Sequence, residues 1–260
     1  YDLRADSGTR HFSGHRLGCW INAVAADGLV LIPEASAGCV CLYPIVSTIV
    51  LEPRADREPW GVYTADGPMR PVTRMALNLG APGDRRAPGG LLWIGWPRPS
   101  LSKDRAAMGL SPDVAVEFDA GGGYDRLGAD APAIEGTDCP WVFASCARGA
   151  RRLTVPLQDA DAPPATYTAR LYFAELDETV AAGQRVFDVV AQGRVVLSDF
   201  DVAREAGGPR RAIARQIESI EVGEKLELEF APRAGASSAM GGPILNAIEI
   251  ERTTTEARAR

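Results

Sequence analysis

Thr166-Tyr167-Thr168-Ala169-Arg170-Leu171-Tyr172-Phe173 alternates polar and apolar side chains along its length. That two-residue period marks a strand with one face in a core and the other in water. Downstream, Phe187-Asp188-Val189-Val190-Ala191-Gln192-Gly193-Arg194 reads as a hairpin turning at Gln192-Gly193. Glu221-Val222-Gly223-Glu224-Lys225 reads as a second turn, leading into the alternating Leu226, Leu228 and Phe230. Working outward, further strands are expected at Met75–Leu79, Leu91–Ile94, Val114–Phe118, Trp141–Ser145 and Arg152–Leu157. The series continues with Thr166–Ala174, Val186–Ala191, Arg194–Val196, Ala212–Ile217, Leu226–Phe230 and Ile244–Ile250. Strands at this spacing, divided by Gly and Pro, predict an all-β sandwich. Helical periodicity is weak, and its best stretch is Lys103 to Met108.

Composition narrows the function classes. The 260 residues are 46% hydrophobic and 24% charged, ordinary for a globular chain rather than a disordered one. A net charge of −6 argues against a nucleic-acid partner, which needs a basic face. No apolar run is long enough for a membrane-spanning helix. Of the 28 basic residues, only Lys103 and Lys225 are lysine, which fits genome base composition better than function.

The chain begins at Tyr1, in what reads as an ongoing pattern, so it is expected to be the C-terminal piece of a larger protein. Residues 1–53 carry strands around Leu17 to Ala23, Leu29 to Ile32 and Cys39 to Leu51, with Asp27-Gly28 as a hairpin turn. Strands so few and short bury too little apolar area to fold alone. Residues 54–73, rich in Pro and charge, read as a linker; 74–252 form the sandwich, and 253–260 a frayed tail. Cys19 is expected to pair with Cys39 or Cys41 across neighbouring strands. If Pro140 to Ser145 is extended, Cys139 and Cys146 stand about 20 Å apart and do not pair.

Two stretches carry a family resemblance. Tyr167-Thr168-Ala169-Arg170-Leu171-Tyr172-Phe173-Ala174-Glu175, Gln184-Arg185-Val186-Phe187-Asp188-Val189 and Asp199-Phe200-Asp201-Val202 resemble the malectin domain. Ala76-Leu77-Asn78-Leu79-Gly80 and Pro243-Ile244-Leu245-Asn246-Ala247-Ile248-Glu249-Ile250 are similar to its first and last strands. The resemblance covers about 70–252 and implies a jelly-roll β-sandwich that binds carbohydrate. Gly18-Cys19-Trp20-Ile21-Asn22, Leu29-Val30-Leu31-Ile32-Pro33-Glu34 and Gly38-Cys39-Val40-Cys41 resemble the closing blade of quinoprotein-like (PQQ-type) propellers. That second resemblance implies an upstream propeller domain and a bacterial, extracytoplasmic setting: periplasmic, cell-surface or secreted.

Sugar sites on sandwiches stack aromatic rings on pyranose C–H groups and bind hydroxyls with carboxylates. Trp96, in Trp93-Ile94-Gly95-Trp96-Pro97-Arg98, lies where the resemblance implies a binding aromatic, whereas Trp93 continues an apolar strand. Tyr124, in Ala120-Gly121-Gly122-Gly123-Tyr124-Asp125, is a second stacking candidate on an expected flexible loop. Asp177 and Glu178 are acceptor candidates in the loop after Glu175. That loop lacks the family's aromatics, and Met240-Gly241-Gly242-Pro243 lacks its aspartate, so the diglucose specificity is not expected to carry over. Asp188, Asp199 and Asp201 read as turn and cap acceptors rather than Ca²⁺ ligands, and no cofactor or metal is expected. The sequence thus points to a non-catalytic carbohydrate-binding or surface-attachment module. The alternative is a module docking onto a propeller or partner subunit without binding sugar. A carbohydrate-active or quinoprotein-type enzyme with its active site upstream is the third reading.

Overall fold

The computed structural model describes residues 23–33, 48–52, 60–63, 69–98, 112–128, 131–233 and 242–253. The chain divides into two compact units. One is formed by Tyr1–Ala65, Gly83–Arg85 and Arg98–Leu110, the other by Asp66–Pro82, Arg86–Pro97 and Ser111–Arg260.

In the first unit, β1 (Val24–Ala26), β2 (Leu29–Ile32) and β3 (Ile49–Leu51) form an antiparallel sheet in that order. Asp27 and Gly28 both have positive φ, as the expected hairpin turn demands. Asp84 and Arg98 form an ion pair with almost no exposure, and Asp84 Oδ2 also accepts from the Tyr63 N–H at 2.7 Å. The Cys19 pairing, the Lys103–Met108 helix and most residues of the propeller resemblance lie outside the described residues.

The second unit is a β-sandwich. Its strands are β4 (Arg74–Leu79), β5 (Arg85–Arg86, at the unit boundary), β6 (Leu92–Trp96), β7 (Ala115–Arg126), β8 (Ser145–Pro156) and β9 (Ala165–Phe173). There follow β10 (Val186–Ala191), β11 (Arg194–Asp201), β12 (Ile213–Val222), β13 (Lys225–Pro232), β14 (Ile244–Leu245) and β15 (Ala247–Arg252). One sheet runs β11-β10-β13-β8-β14 with β7 also on β8; the other runs β12-β9-β15-β4-β6 with β5 beyond. All pairs described are antiparallel except β4–β6.

The alternation read from β9 decides its faces. Tyr167, Ala169, Leu171 and Phe173 are fully buried, while Arg170 is exposed. They meet Leu77, Leu79, Ile248 and Ile250 from their own sheet, and the other sheet contributes Leu153, Val155, Phe187, Val189, Leu226 and Leu228. At the centre Phe173 and Phe200 have ring centroids 4.8 Å apart, with Phe187 edge-on to Phe200 at 5.7 Å. In β12 one extra residue lies between Ile217 and Ile220, where Ser219 has φ +57°; this bulge lets Ile217, Ile220 and Val222 all face inward. Gln192 and Gly193, both at positive φ, close the β10–β11 hairpin.

Three expectations are corrected. Trp141–Ser145 is not a strand: Pro140–Val142 is a 3₁₀ turn, begun by Pro140 in a helix's first position, and β8 starts only at Ser145. The turn shortens the span between Cys139 and Cys146, so the extended-chain distance does not apply, yet the two do not form a disulfide with each other. The Gly-rich segment is not a loop, because Gly121, Gly122 and Gly123 lie within β7, which bulges there against β8. A Cβ on Gly122 would sit 2.9 Å from the Arg148 carbonyl oxygen, so glycine lets the bulge close. Finally, Ile244–Ile250 is two strands in different sheets, with the chain crossing at Asn246.

Cys146 is buried, and desolvation, with Asp125 and Glu175 nearby, pushes its thiol up to about 12. Cys139 is half-buried. In the folded chain at pH 8, iodoacetamide should label half-buried Cys139 far faster than Cys146, whose burial shields the sulfur and keeps it protonated. Peptide mapping of labelled protein reads both rates, and comparable rates would contradict the burial of Cys146.

Candidate functional site

One end of the β12-β9-β15-β4-β6 sheet gathers the positions of interest. Leu79 pairs with Trp96, Ala247 with both Asn78 and Tyr172, and Ile213 with Phe173. The segments leaving the sheet here are therefore neighbours: Gly80 after β4, Pro97 after β6, Ala174 onward after β9, Arg210–Ala212 before β12, and Asn246 before β15. With strands about 4.8 Å apart, β9 lies roughly 14 Å and β12 roughly 19 Å from β6.

A buried polar network fixes this end. Asn246 accepts from the Ala174 N–H at 2.7 Å and donates through Nδ2 to the Phe143 and Ser145 carbonyls at 2.9 and 2.8 Å. Ser145 Oγ donates to Asn78 Oδ1 at 3.2 Å. Glu175 and Arg185 form a pair with 2% and 4% side-chain exposure at 2.6 Å. Arg185 Nη1 also donates to the Gly242 carbonyl, and Glu175 Oε1 accepts from the Asp177 N–H at 3.0 Å. The loop after β9 is thus tied to the segment before β14.

Beside it, residues from the 131–143 segment cover the outer face of the sheet. Ile134, Val142 and Phe143 pack there with Ala76, Trp93, Ala174 and Ala247. Trp93 stands edge-on to Tyr172 at 5.1 Å and to Trp141 at 6.5 Å, so Trp93 is a core residue, as its place in the apolar strand implies.

The four sequence candidates fall into two groups. Trp96, half-buried at the end of β6, meets Tyr124 from β7 of the other sheet. Burial pushes the Tyr124 phenol up to about 12, the Trp96 indole N–H opposing that shift. Tyr124 therefore stays a neutral hydroxyl at physiological pH. Phe118 stands edge-on to it at 5.1 Å. Gly80, at φ +80°, lets the chain pass here: a Cβ would lie 3.2 Å from the Asp125 carbonyl oxygen and from Ser145 Cβ.

Asp177 and Glu178 lie on the far side, next to β9 and β12. Asp177 accepts from the Thr179 N–H at 2.9 Å and its hydroxyl at 2.6 Å, which hold its carboxyl below the usual range. Glu178 is exposed and stands 3.4 Å from Arg210 Nε. A single sugar ring cannot touch both groups; an oligosaccharide laid along the sheet end can. Asp201 caps the short helix α1 (Val202–Ala206), accepting from the Arg204 N–H, and Asp188 accepts from the Asp199 N–H at 2.7 Å. No group of three or more potential metal ligands occurs among the described residues.

Asn78, Glu175 and Asn246 belong to the quoted motifs, but their joint role was not read from them. The available signal is a polar residue inside an apolar run, as in Leu77-Asn78-Leu79 and Leu245-Asn246-Ala247. Arg210 has no such signal.

These features define a malectin-like β-sandwich. The Malectin domain family matches residues 160–248. Receptor-like protein 4 of Arabidopsis thaliana is 37% identical over 89 residues, 34% of this chain and 13% of that protein. The Nodulation receptor kinase of Pisum sativum is 34% identical over 84 residues, 32% of this chain and 8% of that protein. The match is thus a small part of these relatives' length. Among solved structures, the plant peptide RALF23 in complex with FER and LLG2 gives a TM-score of 0.50 at 18% identity, covering 71% of this chain and 49% of that one. The ANXUR2 extracellular domain of Arabidopsis thaliana gives 0.50 at 17%, covering 70% and 49%. The Bacteroides uniformis beta-glucuronidase gives 0.50 at 16%, covering 87% and 22%. These likenesses show the fold.

Proposed function

We propose that this chain is a non-catalytic carbohydrate-binding module of a larger extracytoplasmic protein, serving glycan recognition or surface attachment. The observation that supports it is the meeting of Trp96 and Tyr124, delivered by different sheets to one end of the sandwich. Aromatic rings beside a neutral hydroxyl suit a pyranose, which offers C–H groups on its face and O–H groups at its rim. The malectin match over 160–248 supports the ligand class, and the likeness to an extracellular domain supports the location. No helix among the described residues is long and apolar enough to cross a membrane.

A stacking Trp contributes about 1–2 kcal/mol and each hydroxyl hydrogen bond about 1 kcal/mol, so affinity falls near the millimolar range. Such binding is effective when the module is tethered or repeated. Titrating the intact chain with gluco-oligosaccharides should shift the Trp96 indole N–H signal in NMR spectra. The backbone amides of Tyr124 and its neighbours should shift with it, and Trp96→Ala should abolish those amide shifts while the dispersed spectrum of the fold persists. Should no glycan move that signal, or should Trp96→Ala unfold the sandwich, Trp96 is a packing residue and the docking-module reading replaces this one.

A further inference from the structure

We infer that Arg210 reads a carboxylate, so that the glycan crossing this end of the sandwich carries an acidic sugar; this rests on the carbohydrate reading above. Arg210 sits where three segments meet. Its N–H donates to the Glu175 carbonyl at 2.8 Å, and its own carbonyl accepts from the Glu135 N–H at 2.9 Å. These bonds hold its backbone at φ +59°, in the left-handed region that residues other than glycine adopt uncommonly.

The side chain is 19% exposed, yet its Nε and Nη1 are buried without a hydrogen-bond acceptor among the described residues. Glu178 stands 3.4 Å from Nε, at ion-pair distance but without hydrogen-bond geometry, and its own side chain is 59% exposed. Neighbouring arginines are satisfied: Arg185 by Glu175 and Gly242, Arg211 by Glu135, and Arg215 by Glu205. Arg210 is therefore a guanidinium with donors on two of its edges lacking an acceptor among the described residues, an arrangement unfavourable until an acceptor arrives.

A carboxylate in the place of Glu178 would meet the guanidinium along its Nε–H and Nη2–H edge with two parallel N–H···O bonds. The Glu178 carboxylate marks where it enters, and a ligand carboxylate would displace it toward solvent. Asp177 and Glu178 make the surroundings acidic, which favours a singly charged carboxylate over a doubly charged phosphate. The sugar class follows from Trp96 and Tyr124 along the same sheet end, roughly 19 Å from β12.

The test compares a glucuronate-containing oligosaccharide with a gluco-oligosaccharide of equal length on the intact chain, by ¹⁵N NMR covering arginine Nε–H. The acidic sugar should shift the Arg210 Nε–H and bind about tenfold tighter, the scale of one added charge-assisted fork. Arg210→Lys should erase that preference while neutral-sugar shifts at Trp96 remain, and Glu178→Gln should raise acidic-sugar affinity. Equal affinities, or a preference that survives Arg210→Lys, overturn the inference and leave the Trp96 reading standing. If Arg210→Lys does not fold, an unchanged affinity in Glu178→Gln overturns it instead. An acidic peptide that binds Arg210 as tightly as the uronate overturns the sugar class. Silence at both Trp96 and Arg210 removes the carbohydrate reading itself.

Discussion

Arg185→Ala should lower the stability of the sandwich by about 3–5 kcal/mol, because it strands the Glu175 carboxylate in a site with 2% side-chain exposure. The variant also takes a donor from the Gly242 carbonyl, so the loop after β9 loses its tie to the segment before β14. Urea unfolding of the intact chain, followed by tryptophan fluorescence, reads the loss. The double variant Arg185→Leu/Glu175→Leu should recover much of it, since it removes both charges together. A single-variant loss under 1 kcal/mol would show that water reaches the carboxylate and that the pair is ornamental to the fold.

Asn246→Ala should cost a similar amount, about 3–5 kcal/mol, by a different route. Three backbone groups lose their partner at once: the Ala174 N–H and the carbonyls of Phe143 and Ser145. Each buried group left unsatisfied costs about 1–3 kcal/mol, partly offset where the small side chain admits water. Asn246→Asp keeps the acceptor for Ala174 but points carboxylate oxygen at two carbonyls, so it should be no milder than alanine. Thermal unfolding of both variants decides this. Wild-type melting in Asn246→Ala would mean that the three segments are held by their own packing.

The two residues also bear on the site. Asn246 joins the turn before β8, the end of β9 and the crossing between sheets, and Arg185 anchors the loop carrying Asp177 and Glu178. Surviving folded variants should therefore bind glycan more weakly through loop disorder, with no ligand contact removed.

Much of the sandwich was legible in the sequence because a half-buried strand records its environment locally. Val186–Ala191 was read to the residue, and Leu226, Leu228 and Phe230 alternate inward as written. Turns were legible for the same reason: Asp27-Gly28 and Gln192-Gly193 need positive φ, and the residues that tolerate it are few. The misreadings share a cause. Trp141, Val142 and Phe143 look like a strand because they are apolar, but they serve as a lid on the outer face of a sheet, a role without a period. The glycines of β7 look like a loop because the partner that makes them a strand, β8, is remote in sequence.

For the site, the family resemblance named Trp96 and the loop holding Asp177 and Glu178, and residue type named Tyr124 separately. Their arrangement belongs to the tertiary structure. Only the parallel pairing of β4 with β6 and the placement of β7 on the other sheet bring Trp96 to Tyr124. Only the order β12-β9-β15-β4-β6 sets the acidic loop roughly 14–19 Å away from them and puts Arg210 beside Glu178. Periodicity and turn chemistry are properties of neighbouring residues, so the sequence by itself determined the strands, their inward faces and the all-β class. Strand order, the crossing at Asn246 and the buried Glu175–Arg185 pair depend on which remote segments win the competition for each edge and each hydrogen bond, and folding alone decides that.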